Sequence, residues 1–166
     1  VVRRMILADT PAEEAAALDE LRRVQTIDFK DILEEMDGLP VTVRLLDPPL
    51  HEFLPRVDEL EIKKATTGLN AEEQRLLKAA ESWSEFNPML GTRGVRLGVV
   101  KPGLYAMQVR ALLDAAIELR KAGKNPIVEV MIPLTVTREE LALARSWVVE
   151  GIATATKGMK KAPEVT

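Results

Sequence analysis

The sequence predicts an α/β fold built on a parallel sheet, and three observations carry that expectation. Helix starts are marked by capping residues at Thr10, Asn70 and Thr137, each followed three residues later by a glutamate, Glu13, Glu73 and Glu140. Apolar runs of strand length stand at 41–46, 95–100 and 127–134. The two kinds of segment alternate along the chain, which is the pattern of right-handed βαβ units around a parallel sheet.

Taken in order, Thr10-Pro11-Ala12-Glu13 opens the first helix, since Thr10 can cap, proline suits the first helical position and Glu13 completes the box. This helix runs through Leu18 and Leu21. A second helical pattern follows at Phe29, Ile32, Leu33 and Met36, with Thr26-Ile27-Asp28 expected to separate the two. Gly38 is the stop, and Leu39-Pro40 leads into a strand from Val41 to Leu46. The helix capped by Asn70 reaches about Trp83. Asn87-Pro88-Met89-Leu90-Gly91-Thr92-Arg93-Gly94 reads as a loop, and Val95 to Val100 as a short strand. Pro102 opens a long helix through Met107, Leu112 and Ile117 that stops near Gly123. Ile127 to Leu134 is nearly all apolar, as a buried parallel strand is. The helix capped by Thr137 continues through Leu141, Ala144, Val148 and Ile152. No repeat is evident, and residues 1–166 read as a single domain.

Composition narrows the function classes. The 166 residues are 46% hydrophobic, enough for a sizeable core, and the net charge of -3 gives no reason to expect nucleic acid or a membrane surface as partner. There is no cysteine, which removes disulfides, thiolate catalysis and cysteine-ligated metals from this chain and fits a reducing, cytoplasmic location. The apolar run near Val1 is too short for a signal peptide, and no stretch approaches the ~18 apolar residues of a spanning helix. The valine start and the Pro163-Glu164-Val165-Thr166 end suggest a piece of something longer. Lys157 to Lys161 is the one basic cluster and reads as a solvated helix end.

The residues able to carry chemistry cluster in Thr42-Val43-Arg44-Leu45-Leu46-Asp47-Pro48-Pro49-Leu50-His51-Glu52-Phe53-Leu54-Pro55. Arg44 stands in an apolar, strand-like run, so burial would demand an opposite charge or an anionic ligand. Asp47 follows just before two prolines that stop any strand or helix. Two readings stand: Arg44 grips a carboxylate or phosphate with Asp47 orienting it, or the two form a structural ion pair. Arg93 and Arg96 lie in Gly91-Thr92-Arg93-Gly94-Val95-Arg96, where glycines allow close backbone approach to a ligand, although the Gly-x-x-x-x-Gly-Lys phosphate loop is absent and a turn with surface arginines is the plainer reading. His51, the only histidine, has the apolar neighbours Leu50, Phe53 and Leu54 and reads as packed rather than as a general base. With no second histidine and no cysteine, a transition-metal site is not expected. Glu129, between Val128 and Val130, needs a cationic partner; it could face the anion site, but a salt bridge to a barrel arginine is the expectation. Met89, Met107 and Met131 read as core fillers, and Trp83 and Trp147 as packing residues on helices.

Several blocks, in order, resemble the phosphoenolpyruvate/pyruvate-binding domain of the pyruvate, phosphate dikinase family. They are Arg3-Arg4-Met5-Ile6-Leu7-Ala8, Gly38 through Pro55, Glu85 through Leu97, Met107-Gln108-Val109-Arg110-Ala111, and Glu129-Val130-Met131-Ile132-Pro133-Leu134. The resemblance covers essentially the whole chain, and the Asp47 to Pro55 block is its most specific part. Phosphoenolpyruvate synthase and enzyme I of the sugar phosphotransferase system are more distant relatives. The resemblance implies an α/β fold that is a partial (β/α)₈ TIM-type barrel, about half of the βα units, with parallel strands and outer helices. It implies that Arg44 and Arg93 bind the substrate, with Asp47 supporting them, for phosphoenolpyruvate or pyruvate and with Mg²⁺ as the full enzyme's cofactor. It also exposes departures. Thr92 stands where the family usually has histidine and Val95 where it usually has cysteine. The family's arginine motif, in an Arg-Thr-Glu-His context, would fall before residue 1. The metal ligands, catalytic cysteine, nucleotide domain and phosphohistidine domain have no counterpart here. Two functions follow as expectations: part of a phosphotransferase, inactive alone, or a non-catalytic anion-binding or assembly module. In either case the missing barrel and phosphohistidine segments, or a second copy of the chain, are the expected partners.

Overall fold

A computed structural model of the chain describes residues 1–84, 90–101, 103–159 and 162–166, with the side chains of Leu50 and His51 outside that description. The readings of Met89 and His51, of Pro102 as a helix opener, of Lys160 and Lys161, and of the first residues of the Glu85–Leu97 block therefore lie outside the described residues. Two compact units account for the chain: Val1–Ala17 with Pro48–Arg93, and Leu18–Asp47 with Gly94–Thr166.

The first unit is helical. It contains α1 (Val2–Ile6), the opening turns of α2 (Pro11–Glu35), a 3-10 turn at Leu50–Phe53, α3 (Val57–Thr66) and α4 (Ala71–Ser82). Met5, Ile6, Ala17, Leu54, Leu60, Leu77 and Ala80 are buried in it. At the start of α2 the Thr10 hydroxyl accepts from the Glu13 N–H at 3.2 Å, while the Glu13 carboxylate accepts from the Asp9 N–H at 2.9 Å, one residue earlier than a strict box would place it. Asn70 and Glu73 form the full reciprocal box of α4. Neither α1 nor α3 was expected: α1 is one turn long and α3 has a weakly amphipathic pattern with only Leu60 buried.

The second unit holds the sheet. Strands β1 (Pro40–Arg44), β2 (Ile127–Met131) and β3 (Glu164–Val165) lie in the order β1-β2-β3, and both pairings are parallel. Its helices are the rest of α2 with α5 (Val95–Val100), α6 (Leu104–Lys121) and α7 (Arg138–Ala155). Leu33 of α2 and Leu112, Ala115, Ala116 and Leu119 of α6 close over Val128, with Val41, Val43, Val130 and Val165 packed against them. One sheet face is thus covered by α2 and α6. By the alternation of strands, the other face presents Thr42, Arg44, Glu129 and Met131, and Met131 is 46% exposed there. Met131 is consequently no core filler, whereas Met107 is buried.

Four expectations are corrected here. Val95 to Val100 is a helix, not a strand: Val95, Leu97 and Gly98 are buried while Val99 and Val100 are exposed, a pattern a strand's alternation cannot give. Helix α2 does not break at 26–28; the Thr26 hydroxyl bonds back to the Arg22 carbonyl at 2.8 Å, which satisfies it within the helix. The apolar run at 127–134 leaves the sheet after Met131, and only Val128 of β2 is fully buried. Among the described residues Glu129 meets no arginine; its carboxylate accepts from the hydroxyl of Thr42, its register partner on β1.

Candidate functional site

In parallel sheets, sites form where strands end and loops begin at their carboxyl edge. Here β1 ends at Arg44, and the ladder makes one further bond, from the Leu45 N–H to the Met131 carbonyl at 2.9 Å. Leu45 is buried, and from Leu46 the chain turns away from the sheet. Two side chains of α6 hold that departure. The Leu46 N–H donates to Gln108 Oε1 at 2.7 Å, and the Tyr105 hydroxyl donates to the Leu46 carbonyl at 3.3 Å. Of the eleven residues buried on α6, only Tyr105 and Gln108 carry a side-chain hydrogen-bonding oxygen or nitrogen.

Held on either side of Leu46, Arg44 and Asp47 form an ion pair through Arg44 Nη2 and Asp47 Oδ2. The pair is asymmetric: the Asp47 side chain is 9% exposed and that of Arg44 52%. The expectation of a buried arginine is therefore corrected. Arg44 lies on the open face of the sheet, and Asp47 is the buried member. A pair with one exposed partner is weakly stabilising, so its chief consequence is geometric, fixing a half-exposed guanidinium that keeps further N–H donors for an incoming anion.

Asp47 is also approached by backbone. Gly94 has φ 58°, a conformation that favours glycine. A Cβ built on it would lie 3.2 Å from Asp47 Oδ1 and 2.9 Å from both the Pro133 carbonyl oxygen and the Leu134 Cβ. The Val95 N–H donates to that same Pro133 carbonyl at 3.0 Å, and Leu134 takes a positive φ of 57°, the one non-glycine residue to do so among the described residues. The segments following β1 and β2 and the entry to α5 thus converge around Asp47. Burial, chiefly, and the Asp47 charge raise the pKa of the Tyr105 hydroxyl well above its ordinary value of 10.0, with Arg44 opposing. The phenol stays protonated at neutral pH and remains a donor to Leu46.

The sequence-derived candidates divide by unit. Arg44 and Asp47 come together in the second. Arg93 belongs to the first, half-buried in the turn after Leu90, where its N–H donates to the Gly91 carbonyl at 3.0 Å. Arg96, on α5, is partly buried and adds its charge to the two N–H donors, Val136 and Thr137, that hold the Glu140 carboxylate below its usual pKa. Tyr105 and Gln108 were missed as contributors. The available signal was a lone glutamine inside the apolar run of α6, since a buried amide requires a partner. Among the described residues, no group of three or more histidine, aspartate or glutamate side chains is placed to hold a metal ion. No helix among them is long and apolar enough to cross a membrane.

With this geometry in view, comparison with known proteins is informative. Residues 4–166 match the family described as PEP-utilising enzyme, PEP-binding domain. The chloroplastic pyruvate, phosphate dikinase of Flaveria pringlei is 47% identical over 153 residues, 92% of this chain and 16% of that protein. Pyruvate, phosphate dikinase of Entamoeba histolytica is 45% identical over 159 residues, 92% of this chain and 18% of the relative. Pyruvate, phosphate dikinase 2 of Oryza sativa subsp. japonica is 47% identical over 143 residues, 85% of this chain. The chain therefore spans less than a fifth of the length of these relatives.

Proposed function

The chain belongs to the PEP-utilising enzymes, within their PEP-binding domain, and from that premise we propose that it is part of the phosphoenolpyruvate/pyruvate site of a pyruvate, phosphate dikinase-like phosphotransferase. The observation that carries the reading is the Arg44–Asp47 pair at the carboxyl end of a parallel strand, its guanidinium half open on the uncovered sheet face. An arginine so placed presents a planar fork of donors to a carboxylate or a phosphoryl group, and a nearly buried aspartate keeps that fork aimed. Arg93 is the second substrate arginine in this reading.

The architecture proposed is a single domain that is a partial (β/α)₈ barrel. Parallel sheets are ordinarily covered on both faces. Here α2 and α6 cover one face only, and the other carries Thr42, Arg44, Glu129 and Met131, polar or exposed side chains suited to the lumen of a barrel closed by further strands. Those strands, with a phosphohistidine segment, are the partners proposed, or failing them a second copy of the chain. In the full enzyme the cofactor would be Mg²⁺, held by ligands outside this chain, and the location cytoplasmic.

On this reading the chain binds but does not turn over, because phosphoryl transfer requires a positioned donor, acceptor and charge-stabilising groups together. The test is a titration of the purified chain with phosphoenolpyruvate, followed by NMR, beside a coupled assay for phosphoenolpyruvate formation. Weak binding with shifts centred on Arg44, abolished in Arg44→Ala, and no turnover is the expected result. Unmoved signals at 44–47 would overturn the site, and turnover above a mock preparation would overturn the inactivity.

A further inference from the structure

We propose that Tyr105 and Gln108 are positioning residues, a two-point clamp from α6 that sets the angle between Arg44 and Asp47. The proposal rests on the anion-site reading for its consequence, but its geometry stands apart from it. Leu46 is the only connection between the last sheet-bonded residue, Leu45, and Asp47. In a continuing strand its N–H and C=O would bond to a neighbouring strand. Instead both are taken by side chains one helical turn apart, the N–H by Gln108 Oε1 at 2.7 Å and the C=O by the Tyr105 hydroxyl at 3.3 Å. Residues three apart lie on one helix face, so a single rigid element grips both sides of one peptide-bearing residue.

The clamp is itself held. Tyr105 and Gln108 are 1% and 3% exposed, and the Tyr105 ring meets the Trp147 ring edge-on, with centroids 6.4 Å apart. Gly98 packs against the same tyrosine, a Cβ there falling 3.0 Å from its Cε2. The hydrogen bonds of both α6 side chains go to the Leu46 backbone, and burial leaves neither side chain open to a ligand. Their action is on the backbone that carries the pair. Without them the Leu46 peptide would be free to rotate, and the Arg44 guanidinium would lose the fixed aim that preorganised anion recognition needs.

The experiment uses the chain as it stands, with the variants Gln108→Met and Tyr105→Phe, and with Leu119→Ala as a control that weakens the same core away from the loop. Two readouts are taken well below each variant's unfolding transition: the Arg44 Nε–Hε resonance in a ¹H–¹⁵N spectrum without ligand, and the dissociation constant for phosphoenolpyruvate. Gln108→Met should shift the Arg44 signal toward that of a solvated arginine and weaken binding about tenfold, the effect of losing one buried hydrogen bond. Tyr105→Phe should act in the same direction more mildly, and Leu119→Ala should leave both readouts unchanged. An Arg44 resonance unmoved in both clamp variants overturns the proposal whatever the affinities show. If the resonance moves as expected while the unsubstituted chain does not bind phosphoenolpyruvate, the clamp stands and the anion-site reading falls.

Discussion

Replacing Gly94 by alanine tests the packing of the site directly. The added methyl would lie 2.9 Å from the Pro133 oxygen, 2.9 Å from the Leu134 Cβ and 3.2 Å from Asp47 Oδ1. Two of these are the backbone oxygen and first side-chain atom of neighbours already constrained, Leu134 by its own positive φ. Relief must therefore come from moving main chain. Holding a non-glycine residue in that backbone region costs about 1–3 kcal/mol, and overpacking adds about 1–3 kcal/mol, so the substitution should cost about 2–6 kcal/mol of a total stability of about 5–15 kcal/mol. Gly38→Ala separates the two contributions, because Gly38 also has a positive φ, 79°, yet a Cβ there meets nothing within 4 Å. It should cost only the backbone share, about 1–3 kcal/mol. Both glycines belong to the second unit, so urea unfolding followed by amide signals of β1, β2 and α6 compares them on one transition. At an m-value of about 2 kcal/mol/M, the Gly94→Ala midpoint should fall about 1 M below that of Gly38→Ala. Equal midpoints would refute the argument that the Asp47–Pro133–Leu134 contact is tight.

The remaining expectations concern the helix caps and the core. Thr137→Ala removes the hydroxyl that accepts from the Glu140 N–H at 3.2 Å and should cost about 1 kcal/mol, read as faster hydrogen exchange in the first turn of α7. Glu140 has a folded pKa below its ordinary 4.5, chiefly through the N–H groups of Val136 and Thr137; its stabilisation is complete above that unfolded value and is lost as pH falls through the lower folded one, so Glu140→Gln should lower stability at neutral pH, leave it little changed below the folded pKa, and thereby flatten the acid limb of a stability-against-pH curve. Leu112→Ala, deleting a fully buried side chain between α2 and the sheet, should cost about 2–5 kcal/mol in the same urea titration. A loss under 1 kcal/mol there would show that α2 and α6 do not form the common core described.

What the sequence disclosed, and what it hid, follows from which interactions are local. The boxes at Asn70/Glu73 and Thr137/Glu140 involve residues three apart, and both formed as read. The Arg44–Asp47 pair is equally local. The 95–100 run misled because an apolar stretch of six residues fits a strand or one and a half helical turns equally well, and the choice was made by tertiary contact: Val95 bonds to Pro133, and Gly98 packs on Tyr105. The break expected at 26–28 failed for a related reason. Thr26 and Asp28 are poor helix formers, but the Thr26 hydroxyl found a carbonyl within the helix, and the flanking Arg22 and Lys30 tie α2 to Asp114 and Glu118 of α6 across about ninety residues of sequence. No window along the chain contains that information.

Arg44 shows how a right residue can be chosen on an incomplete argument. Its apolar neighbours, Val43 and Leu45, suggested burial, and burial suggested the need for a counter-charge. In a strand, however, neighbours in sequence face opposite sides, so Val43 and Leu45 report on the covered face and Arg44 on the other. The residues that share its face are Thr42 on the same strand and Glu129 and Met131 across the ladder, and these are polar or exposed. Asp47 then takes on a different meaning. It does not rescue a buried cation; it is the buried partner, seated against Gly94 and carried by a loop fixed through Tyr105 and Gln108. A carboxylate held this firmly beside an accessible arginine costs desolvation that the pair alone does not recover as stability. That cost is intelligible where the arginine's direction matters more than its contribution to folding, as it does at a site for an anion.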